Sequence, residues 1–186
     1  MSIGLFPGDQ IIPQPSMLYN QMITINTTPD TIFPWLLQLG KGRGGWYVPA
    51  WIERFFPTSW QAAHDIKPQW QNLNVGDRVP DYGFSSDDYF IVRELREPEA
   101  LVYQSERYGC TFTWALLLRE AVGEGDAIAP KTELHLRFRG KISSEGWRRS
   151  VIVWVGEKMD RWSTRPMLLG LKERAEWTHS EGRAGR

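Results

Sequence analysis

Gly40, Gly42 and Gly45 stand in GKGRGG at the G-x-G-x-x-G spacing, which cradles a dinucleotide pyrophosphate when a strand leads in and a helix leads out. Here the lead-in is Thr28-Pro29-Asp30, an N-cap, a proline in the first turn and an acid near the positive helix end. The glycines therefore read as a tight turn between two helices that needs positive φ, and no nucleotide or other cofactor is expected. Lys41 and Arg43 read as a solvated pair, with an anionic ligand group at the mouth as the alternative. Gly83-Phe84-Ser85-Ser86-Asp87 lacks the second glycine of a nucleophile elbow. Cys110, the single cysteine, excludes an internal disulfide and a Cys-based zinc cluster. It falls on the inward face of a strand, where a small apolar residue is expected. His135 alternates onto a polar face and His179 lies in the tail, so no metal site is expected. His64, beside Asp65, is the one histidine that could reach a pocket, although a lid histidine simply exposed to solvent is the commoner case. Tyr82, His64 and Asp81 are the candidates for proton transfer.

The elements that would position these residues follow from periodicity. Gln21, Ile23 and Ile25 alternate with Met22, Thr24 and Asn26, a first strand over Tyr19–Thr27. Ile32, Trp35, Leu36 and Leu39 share one face of a helix that runs through Pro34 and ends at Gly40. Trp46–Phe56 reads as a second short helix. Residues 57–76 have no period and read as a lid over a cavity mouth, with Trp60 and Trp70 bracketing His64. Strands are expected over Asp77–Tyr82, Tyr89–Leu95, Leu101–Glu106, Cys110–Leu118 and Thr132–Gly140. In the last, Leu134, Leu136 and Phe138 oppose Glu133, His135, Arg137 and Arg139, so one side of the sheet reads as wet and the other as covered. The cover is a long helix over Arg148–Trp177, with Ile152, Val155, Met159 and Trp162 at helical spacing and a kink or break at Pro166.

At 186 residues the chain is expected to form one domain over 19–178, with an extended arm over 1–18 and a frayed tail over 179–186. Lys plus Arg and Asp plus Glu both total 22, so no basic field exists to attract nucleic acid or an anionic membrane. No signal peptide or membrane-spanning run is read, and a cytoplasmic location is the expectation. An oligomer is not indicated. The outlier is aromatic content: ten Trp, eight Phe and six Tyr, spread along the chain. Such rings suit a core or a pocket wall.

Strand, two helices, five strands and a long helix make an α+β order with the helices on one face of an antiparallel sheet. The pieces GDQIIPQP, TIFPWLLQLGKGRGGWY, QNLNVGDRVP, FTWALLL and MLLGLKERAEW resemble the SRPBCC family, the START-like, helix-grip superfamily that includes polyketide cyclases and pollen allergens. In particular they resemble a bacterial branch usually left without an assigned activity. The similarity runs from about Gly4 to Trp177. It implies a curved sheet of six or seven strands gripping the C-terminal helix, and a small hydrophobic or aromatic ligand (lipid, sterol-like or polyketide-like) held between them. Trp46, Tyr47, Trp51, Phe112, Trp114, Met159 and Trp162 are the expected wall, with His64 and Tyr82 at the rim. Two other readings compete: a cyclase- or dehydratase-like enzyme acting on such a ligand, and a protein-interaction domain whose cavity is vestigial.

Overall fold

The structure, a computed structural model, describes residues 6–58, 61–82, 88–107, 109–121, 130–142, 164–178 and 180. Its elements are β1 (Met17–Ile25), α1 (Pro29–Leu37), α2 (Ala50–Glu53), a 3₁₀ turn (Pro68–Trp70), β2 (Arg78–Pro80), β3 (Tyr89–Arg96), β4 (Ala100–Arg107), β5 (Cys110–Glu120) and β6 (Thr132–Ile142). A helix over 164–178, here α3, follows. The strands lie in the order β1-β6-β5-β4-β3-β2, and every neighbouring pair is antiparallel. The first and last strands are thus side by side, and the short β2 with Pro80 blunts the opposite edge. This is a helix-grip fold.

The register explains the core. Leu116 pairs with Leu136 and Leu118 with Leu134, and Ile23 lies beside Leu134. On this inner face they join Ile32, Trp35 and Leu36 of α1 and Met167, Leu168, Leu171 and Ala175 of α3 in one cluster. Each such Leu, Ile or Met side chain contributes roughly 1.5–3 kcal/mol on burial. Thr28 takes the extended conformation of an N-cap, with Pro29 in the first turn. Its hydroxyl meets Thr31 Oγ1 at 3.1 Å, while its carbonyl accepts from Thr31 N and Ile32 N.

The glycine turn after α1 closes by reciprocal backbone bonds between Gly40 and Gly45, at 3.2 and 3.0 Å. Both have positive φ, 122° and 82°. A Cβ on Gly40 would lie 2.4 Å from Val79 Cγ1, so a side chain is refused by space as well as by conformation.

Three expectations change. The helix read over Trp46–Phe56 shrinks to Ala50–Glu53, because Pro49 is its N-cap and Trp46 turns toward the sheet. The outer face of the sheet is not simply wet, because the N-terminal arm lies across it. Asp9 pairs with Arg137 at 2.9 Å and Arg139 at 2.8 Å, and Arg139 donates to Ile12 O and Pro13 O. Gly8 packs so closely that a Cβ would meet Val102 Cγ1 at 2.6 Å. The row of Arg137 and Arg139 therefore anchors the arm.

Of the segment 57–76, read as a lid, residues 61–76 are fastened to the scaffold. Ala63 N donates to Gly44 O at 2.9 Å, and Ala62 N to Glu53 Oε1 at 2.6 Å. The buried Gln38 side chain accepts from Lys67 N and donates to Asp65 O, while Arg43 donates to Trp70 O. Ala62 and Leu73 are buried in the core. The expected break at Pro166 falls at the edge of the described residues. Ile152, Val155, Met159, Trp162, the Gly83–Asp87 turn, Trp60 and His179 lie outside them.

Candidate functional site

Toward the other end of the inner face the aliphatic side chains give way to rings. β-Strand alternation and the antiparallel register place Trp114 opposite Tyr103 on β4 and Phe138 on β6, so all three share that face. Phe112 is two residues from Trp114 on the same face, and Phe90 joins from β3. The extended chain after Gly45 carries Trp46 over them. Trp46 meets Trp114, Phe90 and Tyr103 edge-on, with centroids 5.6, 5.7 and 6.5 Å away. Phe90 lies 5.3 Å from Trp114 and 5.8 Å from Phe112, and Phe112 lies 5.7 Å from Phe138. Each such pair contributes about 0.5–1.5 kcal/mol beyond its buried area. Phe112, Trp114, Phe138 and Trp46 remain half-buried, whereas Phe90 and Tyr103 are fully covered.

The polar atoms of this cluster set its chemistry. Trp46 Nε1, Trp114 Nε1 and Tyr103 Oη are buried and have no hydrogen-bond partner among the described residues. Desolvation pushes the Tyr103 phenol well above its ordinary pKa of 10.0, with Arg43 pulling weakly the other way, so it keeps its proton. An indole N–H can only donate. A buried donor left without an acceptor costs about 1–3 kcal/mol, so an acceptor that reaches these groups is favoured. Trp35 Nε1, deeper in the core, is also without a partner.

Arg107 borders the rings. Its guanidinium lies 5.3 Å from Phe90 and 5.0 Å from Phe112, within cation–π range. It pairs with Asp81 and lies 3.8 Å from Asp88 Oδ2. Among the described residues two carboxylates face one guanidinium at this edge, a formal charge of −1 that opposes an anionic ligand there.

Of the residues expected from sequence, Trp46, Phe112 and Trp114 come together. Tyr47 does not line the same surface. It is fully buried, donates to Trp35 O at 2.9 Å and carries Arg174 over its ring at 4.9 Å. Trp51 is 64% exposed on α2, since Glu53 is the α2 side chain that turns inward. Tyr82 is exposed, with Lys41 Nζ 5.6 Å from its ring centroid. Asp81 is committed to Arg107. His64 belongs to a different cluster, 3.0 Å from the buried Glu53, which Arg174 also pairs at 2.8 Å. Met159 and Trp162 lie outside the described residues.

Phe90, Tyr103 and Arg107 are not singled out by the sequence, and Phe138 is read there only as part of the covered face. Phe90 shares strand parity with Val92, and Tyr103 with Leu101, so their inward direction was readable. Their convergence depends on cross-strand register. Among the described residues no group of three His, Cys, Asp or Glu is arranged to hold a metal ion. No helix among them is long and apolar enough to cross a membrane.

The chain matches no family model and no curated protein. Solved structures are similar to it. A protein of Mesorhizobium loti is 17% identical, with a TM-score of 0.47 over 87% of this chain and 98% of that one. The Aha1 dimer from Colwellia psychrerythraea is 15% identical, at 0.42 over 86% and 96%. CalU16 from Micromonospora echinospora is 18% identical, at 0.35 over 86% and 82%. At these values they lend this chain no residue role, ligand or activity.

Proposed function

We propose that this chain is a member of the SRPBCC family, and that it binds a small hydrophobic or aromatic molecule between the sheet and the C-terminal helix. The domain that does so runs over 19–178. The observation that carries this reading is the pair of buried indole donors, Trp46 Nε1 and Trp114 Nε1, with no acceptor among the described residues in an otherwise apolar cluster of rings. Packing alone would be served as well by Phe, which leaves no donor behind. The ligand favoured is neutral and flat, with an oxygen acceptor, because Asp81 and Asp88 outnumber Arg107 at the edge.

A matched pair of probes tests it. Fluorenone carries a carbonyl acceptor and fluorene does not. Fluorenone is expected to bind at about micromolar strength, roughly −8 kcal/mol, and more tightly than fluorene. Trp114→Phe should weaken fluorenone about tenfold, the equivalent of ~1.4 kcal/mol, and leave fluorene nearly unchanged. His135→Ala should alter neither. Equal affinities for the two probes would remove the role of the donors, and no saturable binding would remove the site.

The second reading, a cyclase-like enzyme, is supported by the Asp81 and Asp88 carboxylates held beside Phe90 and Phe112 by Arg107. It requires Asp81→Asn to abolish conversion of a molecule retained by the purified protein while leaving that molecule bound. Retained molecules that leave chemically unchanged favour the binding reading.

A further inference from the structure

The start of α2 and the outer turns of α3 frame a depression of about 330 Å³, lined by Ala50, His64, Glu173, Arg174 and Trp177. None of these belongs to the aromatic cluster of the inner face. The depression is built over a buried ion pair. Glu53 and Arg174, each with a side chain only 4% exposed, meet at 2.8 Å. Arg174 Nε donates to Ala63 O at 2.8 Å, and Nη1 donates to Val48 O at 2.9 Å. Its donors are thus turned inward, and its charge is matched by Glu53.

What faces outward accepts. Glu53 Oε2 receives Arg174 Nη2 and lies 3.0 Å from His64 Nε2. A carboxylate only accepts, so in the neutral tautomer Nε2 carries the hydrogen and Nδ1 is left as an acceptor. That ring is 61% exposed. Glu173 Oε2 takes the Ala50 N–H at 3.0 Å. Its other oxygen has no hydrogen-bond partner among the described residues. Trp177, one helical turn beyond Glu173, presents a half-exposed indole on the same side of α3. Among the described residues, Glu53, Arg174 and Glu173 give the depression a formal charge of −1 with the imidazole neutral.

We infer that this depression binds an organic ammonium group, held between the Glu173 carboxylate and the Trp177 ring, with His64 Nδ1 as a further acceptor. Two acceptors, a net negative charge and an aromatic face suit a cationic donor and disfavour an anion. The ammonium can belong to a free amine or to a lysine side chain. Both present the same group.

The test is a titration of the full chain, followed at the Trp177 indole N–H by NMR. The probes are cadaverine, N-acetyl-lysine methylamide and the neutral 1-pentanol. Either ammonium probe should saturate with a dissociation constant on the order of millimolar, and its affinity should fall as salt is added. Glu173→Gln keeps a carbonyl for Ala50 N and should weaken binding about fivefold, while Trp177→Leu keeps the apolar contact but loses the π face and should weaken it similarly. Cadaverine binding more tightly identifies a free amine as the source, and the lysine amide binding more tightly identifies a protein side chain. The inference is overturned if neither ammonium saturates, if 1-pentanol binds as well as cadaverine, or if both variants bind like the wild type. Trp114→Phe should leave this titration unchanged, so its outcome is separable from that of the inner face.

Discussion

Glu53 and Arg174 show how one side chain can decide the fate of another. Each is buried, and each would be a lone charge without its partner. Arg174→Met should destabilise the fold by about 3–5 kcal/mol in urea unfolding. Adding Glu53→Gln should recover part of that loss, because the stranded charge is gone. If the double variant is as unstable as the single one, the pair matters through packing and not through charge. Arg174 was legible in principle. It follows Leu171 at helical spacing in MLLGLKERAEW, on the stripe that carries Met167, Leu168 and Ala175. Its partner was not, since 121 residues separate the two. Tyr103 gives the opposite sign. Its buried hydroxyl has no partner among the described residues, so Tyr103→Phe should leave the free protein as stable or more stable by about 1 kcal/mol. It should also weaken fluorenone binding. A clear loss of stability in the free protein would mean that the hydroxyl is already satisfied.

Among the elements, the strands were the most legible, because alternation in Leu134, Leu136 and Phe138 is a local signal that burial enforces. The short helix comes out longer from the sequence than it is, because Trp51 and Phe55, one turn apart, mimic a helical face. In the fold Trp46 faces the sheet, while Trp51 and Phe55 face outward. Irregular segments carry no period, and their hydrogen-bond partners lie far away in sequence. The 61–76 segment is held by Gln38, Arg43, Glu53 and Arg174. Its bonded amides, Ala62, Ala63 and Lys67, should therefore exchange slowly without any ligand and respond little to fluorenone. Fast exchange that slows on ligand addition would restore the lid. The arm makes a parallel claim. Asp9→Asn weakens two ion pairs, with Arg137 and Arg139, and should cost about 1–2 kcal/mol, given partial burial. It should also raise exchange in β6. No change would make the arm a passive cover.

At the scale of the whole molecule, the buried phenols tie stability to pH. Desolvation raises the pKa of Tyr47 and Tyr103 above the ordinary 10.0. The folded chain therefore holds these protons more tightly than the unfolded one. Their contribution is fully present below about pH 10 and is lost as the pH rises beyond it. The phenolate absorbance of these two should appear only together with loss of circular dichroism, and the Tyr47→Phe, Tyr103→Phe variant should lack that step. Reversible ionisation in the folded state would contradict their burial.

The grip of sheet on helix could be read from element order and the quoted motifs, whereas the aromatic site arises from a register that brings Tyr103, Trp114 and Phe138 from three strands into one row, with Phe90 of β3 diagonal to it. No local pattern contains that row. The central claim is that the buried indoles meet a ligand's acceptor, and the most direct measurement is the NMR spectrum of the ten indole N–H groups during fluorenone addition. The Trp46 and Trp114 resonances should move downfield and saturate together, while exposed Trp51 and Trp177 stay in place. Movement confined to the exposed pair, or none at Trp46 and Trp114 at saturating fluorenone, would contradict the account.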